Sequence, residues 1–173
     1  MSRCYTGIGS RQTPAPMCGV LTILARQLAR AGYTLRSGGA PGADLAFEAG
    51  AGERKRIYLP WRGFNGSDSL LYTFEPDVLA RAEAIAAAHH PRWWQLSDAA
   101  RRLHTRNVFQ VLGDDLASPS EFVVCWTPRG DLVGGTAQAL RIAATYGVPI
   151  ANLGSPLGHQ KLKDILNRSQ QSC

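Results

Sequence analysis

Apolar and polar positions along this chain fall into short blocks that alternate between two periods. Residues 4–9 (CYTGIG) read as a buried strand ending in a glycine turn. Thr13 and Pro14 then suit the N-cap and first position of a helix whose apolar face carries Met17, Leu21, Leu24 and Leu28, with Gly32 just past its end. Residues 33–36 predict a second strand, which runs straight into SGGAPGAD at 37–44. Leu45, Ala46 and Ala49 follow as a short helix that Gly50 closes. A third strand is expected at 57–59. From Trp61 to Glu75, glycine, asparagine, serine and aromatic residues occur without a period, as in a long loop beside a site. Helical spacing returns at 77–90 and 97–112, on either side of Pro91 and the pair Trp93-Trp94. The nearly continuous apolar run EFVVCW at 121–126 suits a parallel strand covered on both faces. A helix at 135–146 ended by Gly147, a strand at 148–153 and a helix at 160–167 complete the pattern.

Strands alternating with helices predict an α/β fold: a doubly wound, mainly parallel sheet flanked by helices, with its ligand crevice at the carboxyl ends of the strands. No linker or internal repeat divides the chain, so residues 1–173 read as one domain, with a helical and loop insertion around 61–116. A length of 173 residues agrees with that. Apolar residues at 45 % and charged residues at 18 %, with no run of about 18 apolar positions, argue against disorder, a coiled coil and a membrane span. The start MSRCYTGIGS lacks the pattern of a secretion signal. Cys4, Cys18, Cys125 and Cys173 have no CxxC or zinc spacing, so reduced thiols in a cytoplasm are expected. His89, His90 and His104 have no acidic or thiol companions at metal-like spacing, so neither a metal nor a cofactor is expected.

The formal charge is +6, and sixteen of the nineteen basic residues are arginine. Arginine's planar fork suits phosphate, which points to an anionic ligand or a nucleic acid; a GC-rich coding sequence would give the same usage, so charge alone decides little.

Three glycine turns follow predicted strands: Gly7-Ile8-Gly9-Ser10-Arg11, Ser37-Gly38-Gly39-Ala40-Pro41-Gly42-Ala43-Asp44, and Gly134-Gly135-Thr136. Each allows main-chain N–H groups to approach an anion at the positive end of a helix, and together they predict a phosphate or nucleotide pocket. Neither a GxxxxGK[ST] loop nor GxGxxG is present, which argues against ATP hydrolysis of the P-loop class.

The stretches YTGIGSRQTP, GYTLRSGGAPGADLAFEAGA and GGTAQALRIAATYGVPIANL resemble the SLOG superfamily of Rossmann-like proteins, which includes the DNA-processing protein A (Smf) recombination mediators and the LOG-type nucleotide phosphoribohydrolases. The likeness covers about residues 4–60 and 121–153. Its most specific element is SGGAPGAD, similar to the mediators' SGGARGID. The resemblance implies that Gly9, Ser10 and Arg11 lie near a phosphate, that Gly38, Gly39 and Asp44 lie near the ribose or base, and that Gly134, Gly135 and Thr136 start a second phosphate-binding helix. It also implies a homo-oligomer. The phosphoribohydrolases carry GGxGTxxE; aligning their threonine with Thr136 puts Ala139 where their catalytic glutamate belongs.

Cleavage of an N-glycosidic bond would therefore need another acid. Asp44 and Glu48, four residues apart on one helix face, are the candidates. The same spacing also fits an Asp favoured by the helix dipole and a Glu that is only solvated. Asn107 sits on an apolar stripe between Leu103 and Val111, either facing the ligand cleft or satisfied within the core, with Arg106 and Gln110 beside it. Trp61, Phe64 and Asn65 lie where an aromatic could stack a base or pack a lid.

The first function expected is binding of a nucleotide or nucleotide-derived ligand, with sensing or N-glycosidic cleavage of a nucleoside monophosphate as its outcome. Binding of single-stranded DNA as a recombination mediator is the alternative. Against it, no basic stripe interleaved with aromatics stands out, Trp93-Trp94 beside Arg92 being the nearest approach.

Overall fold

Among the described residues, five parallel strands and six α-helices form three layers. The structure, a computed structural model, describes residues 3–171. Strands β1 (Cys4–Gly9), β2 (Thr34–Ser37), β3 (Lys55–Ile57), β4 (Phe122–Trp126) and β5 (Ile150–Asn152) form one sheet in the order β3-β2-β1-β4-β5. This is a Rossmann-like α/β arrangement. Every pairing is parallel, with Tyr5 opposite Leu35 on one side and Phe122 on the other.

Side chains alternate across the sheet and so feed two cores. Tyr5, Phe122 and Val124 point to one face, where they pack with Leu21 and Leu28 of α1 (Ala15–Arg30), Phe47 of α2 (Ala43–Ala51) and Ile165 of α6 (Gly158–Gln171). Ile8, Val123 and Cys125 point to the other. They meet Ala82 and Ala86 of α3 (Pro76–Ala88), Val108 and Leu112 of α4 (Asp98–Leu112) and Leu140 of α5 (Gly134–Thr145). The expected strand at 121–126 is thus buried on both sides, as its continuous apolar run requires.

Several boundaries move for identifiable reasons. The first helix begins at Ala15 with Pro14 as its N-cap, and Thr13 instead donates its hydroxyl to the carbonyl of Ser10 at 2.6 Å. Gly50 does not close α2. It lies within the helix, where any Cβ would run into the carbonyl of Thr22 on α1, and Gly52 with φ +58° ends the helix instead. The third strand ends at Ile57, because Leu59 N–H leaves the sheet edge and donates to the carbonyl of Leu71 at 2.8 Å. Ser97 caps α4, accepting from Ala100 N–H at 3.3 Å. Most of 61–75 is irregular, with one short 3-10 turn at Phe64–Gly66.

Among the described residues no helix is long and apolar enough to cross a membrane, and no group of three or more His, Cys, Asp or Glu could hold a metal ion. Cys18 and Cys125 are free thiols, and burial pushes Cys125 up to about 12, so it is inert. Cys173 lies outside the described residues.

Candidate ligand-binding site

The strand order reverses direction between β1 and β4, and at that switch point an α/β sheet leaves a crevice beyond its carboxyl ends. A pocket of about 500 Å³ occupies the place. It brings together Gly9, Ser10 and Arg11 after β1, Asp44 at the start of α2, Asn107 on α4, and Gly134, Gly135 and Thr136 at the start of α5. Ser37, Gly38, Gly39 and Glu48, also expected here, do not line it.

The glycine turns do not all open onto the pocket. Asp44 is 3 % exposed, and its carboxylate accepts from Gly9 N–H at 3.2 Å and from Ala40 N–H at 3.4 Å. The N–H of Ala43, at the start of α2, donates to the carbonyl of Ser10 at 3.3 Å. The SGGAPGAD turn was expected to cradle an external anion; instead the chain's own Asp44 carboxylate takes the N–H of Ala40 in that turn and the N–H of Gly9 after β1. Gly9 and Gly42 make this docking possible. A Cβ on Gly9 would strike Trp126 and Ala43, one on Gly42 would strike the carbonyl of Ser10, and Gly42 also holds φ at +81°. Burial pushes the Asp44 carboxyl up to about 6, against the opposing pull of the Arg106 guanidinium and of the main-chain donors.

Ser37 and Gly38 build the wall behind the site. Ser37 donates its hydroxyl to the carbonyl of Gly7 at 2.7 Å, tying β2 to β1. Gly38 presents its carbonyl to the Arg106 guanidinium, and a Cβ there would collide with Arg106 and Gln110. Glu48 lies one turn along α2 and pairs with Lys55 of β3 at 3.0 Å. The spacing that was expected to set two carboxylates on one ligand-facing surface instead sends one into the pocket and the other to the sheet edge.

Neither α2 nor α5 has a side-chain cap, but α2 carries Asp44 in its first turn, whereas α5 carries no acid there and Gly134 and Gly135 are exposed, so the orphan N–H groups of the first turn of α5 lie at the pocket mouth. Arg11, exposed, lines the same pocket. Deeper in, the side-chain amide nitrogen of Gln110 and Nε of Arg106 are buried donors without a protein partner. Asp44 is the one carboxylate among the lining residues, and Ala139 contributes only its methyl.

A polar network under the site fixes α4 against α5. Gln138 donates Nε2 to the carbonyl of Ala86 at 2.9 Å, and a carbonyl can only accept, so the amide orientation is settled. Its Oε1 therefore accepts from Asn107 Nδ2 at 3.0 Å and from His104 Nδ1 at 3.1 Å. His104 must carry its proton on Nδ1, which leaves Nε2 as an acceptor. Burial is the main influence lowering its pKa, reinforced by His90, Arg106 and Arg141. Asn107 also donates to the carbonyl of Gly135 at 3.2 Å. Asn107 is thus both a pocket residue and a satisfied core residue. Gln138 gave no signal in the sequence, since a glutamine inside an Ala-rich helix reads as solvent-facing until its neighbours are known.

The chain matches no protein-family model and no curated protein. Its fold is similar to that of DNA processing protein A from Helicobacter pylori, a protein described for its single-stranded DNA binding mode. The two agree with a TM-score of 0.50 at 18 % sequence identity, over 94 % of this chain and 72 % of that one.

Proposed function

We propose that this protein binds a nucleotide or nucleotide-derived ligand, with the phosphate held between the start of α5 and the Ser10-Arg11 turn. The observation that carries this reading is a contrast within one pocket: the chain's own Asp44 carboxylate takes the main-chain N–H groups of Gly9 and Ala40, whereas the start of α5 has neither a side-chain cap nor an acid in its first turn and shares the pocket with Arg11. The unpartnered donors on Gln110 and Arg106 favour an acceptor-rich ligand. The resemblance of the glycine motifs to the SLOG superfamily supports the same class of ligand.

The geometry supports binding over cleavage. Asp44 is the one carboxylate lining the pocket, and its oxygens hold the main-chain N–H groups of Gly9 and Ala40 in place, a structural task, while Glu48, the second carboxylate a cleavage mechanism would need, is paired outside the pocket. Calorimetric titration with nucleoside monophosphates and with the matching nucleosides tests the reading. The phosphate form should bind at least about tenfold more tightly, since charge-assisted hydrogen bonds contribute roughly 1.5–3 kcal/mol each. Equal affinity for both forms would sink the phosphate assignment.

A second reading, binding of single-stranded DNA, draws on what is said of the Helicobacter protein and on the arginine excess. Gel-shift titration with a strand of about 30 nucleotides separates the two. Tight, length-dependent and steeply salt-sensitive binding would favour DNA.

A further inference from the structure

Helix α4 is a wall between two cavities. Asn107 and Gln110 face the pocket described above, while Asp98, Arg102 and Phe109 line a second cavity of about 430 Å³ on the other side. Arg106 lines both. It is 8 % exposed, with its Nε buried and without a partner. We infer that the second cavity is a base subsite, taking the aromatic ring of a ligand whose phosphate lies in the first pocket, so that the ligand straddles Arg106. The inference rests on the nucleotide reading above.

Three features point to a ring with hydrogen-bonding edges. Trp61, Tyr72 and Phe74 of the 61–75 loop are partly exposed around the cavity, and Phe74 is held in place by lying flat on the buried Phe109, with centroids 3.8 Å apart and planes 7° from parallel. Such surfaces accept a base with little regard to its identity. The cavity also carries Arg62 and Arg102 together with Glu83 and Asp98, and none of these four side chains makes an ion pair or hydrogen bond among the described residues. The two carboxylates can accept the ring and amino N–H groups of a base, which a phosphate dianion does not offer, while the arginines of the lining, Arg101 and Arg106 included, donate to its carbonyls and ring nitrogens. Finally, the loop that supplies the aromatic residues is tied to the turn after β2, where Asn65 donates to the carbonyl of Gly39 at 3.0 Å, and it meets the residue shared by both cavities, the Arg106 guanidinium lying 5.6 Å over the Phe64 ring.

Calorimetric titration with ribose 5-phosphate and with AMP, GMP, CMP and UMP tests the subsite in the wild type and in Tyr72→Ala and Arg102→Ala. Arg102 is exposed, so its replacement leaves the fold intact. In the wild type at least one nucleotide should bind about tenfold or more tightly than ribose 5-phosphate, as stacking on an aromatic surface allows. Both variants should erase that advantage and leave ribose 5-phosphate affinity unchanged. A nucleotide preference that survives in both variants, or no preference over ribose 5-phosphate in the wild type, would overturn the base subsite while leaving the phosphate pocket standing. If neither ribose 5-phosphate nor any nucleotide binds, the phosphate pocket and the subsite both fall.

Discussion

Asp44 joins its carboxylate to the main-chain N–H of Gly9 across 35 residues of sequence, at 3.2 Å, and so locks the turn after β1 onto the start of α2. The contact puts a carboxylate where a glycine turn in an α/β sheet would otherwise receive an anion from solution. It also sets how the protein should respond to pH.

Burial raises the folded-state pKa of Asp44 from 3.8 to about 6. A carboxyl whose folded pKa is raised binds its proton more tightly when folded, so its contribution favours folding below about pH 4 and is lost as pH rises through about 6. The gap corresponds to about 3 kcal/mol. Urea denaturation at pH 4 and pH 7 should reveal this slope in the wild type, and Asp44→Asn should flatten it. An unchanged slope in the variant would assign the effect to other groups.

Gly38→Ala would press a methyl into Arg106 and Gln110, both packed between α4 and the sheet. Overpacking of this kind costs about 1–3 kcal/mol. The guanidinium must also leave the Gly38 carbonyl, so nucleotide affinity should fall together with the denaturation midpoint. A variant as stable as the wild type would show that α4 gives way freely.

Glu48→Gln should leave nucleotide binding unchanged and cost less than about 1 kcal/mol, because Glu48 makes a partly exposed ion pair with Lys55 and does not line the pocket. A large loss of ligand affinity, read by calorimetry, would place Glu48 at the site after all.

Arg11→Ala should weaken nucleoside monophosphate binding about tenfold or more and leave stability nearly unaltered, since the side chain is exposed and faces the uncapped start of α5. Isothermal titration and thermal melting of one sample check both halves. Unaltered affinity would move the phosphate elsewhere.

Gln138→Leu should cost more than about 2 kcal/mol in chemical denaturation, because it leaves the Asn107 amide, the His104 ring N–H and the Ala86 carbonyl short of partners in a buried network. A near-neutral result would mean that water replaces the glutamine.

Most elements and the fold class were readable from local spacing alone. Strand periods, apolar helix faces and glycine turns depend on neighbours within a few residues, so β1, α1 and the buried run of β4 were legible, as was the doubly wound arrangement that puts Gly9, Asp44 and Gly134 at one end of the sheet. Asp44 looked like a ligand residue for a sound local reason, its place at a helix start after a glycine turn. Where each polar group places its hydrogen bonds came from packing in three dimensions. Asp44 turns back to Gly9 and Ala40, Glu48 leaves for Lys55, Gly50 serves a helix crossing rather than a helix end, and Arg106 and Gln138 become central although nothing near them in the chain announces it. These pairings join residues 30 or more positions apart in several cases, and they follow from strand order and helix packing, which local spacing does not encode.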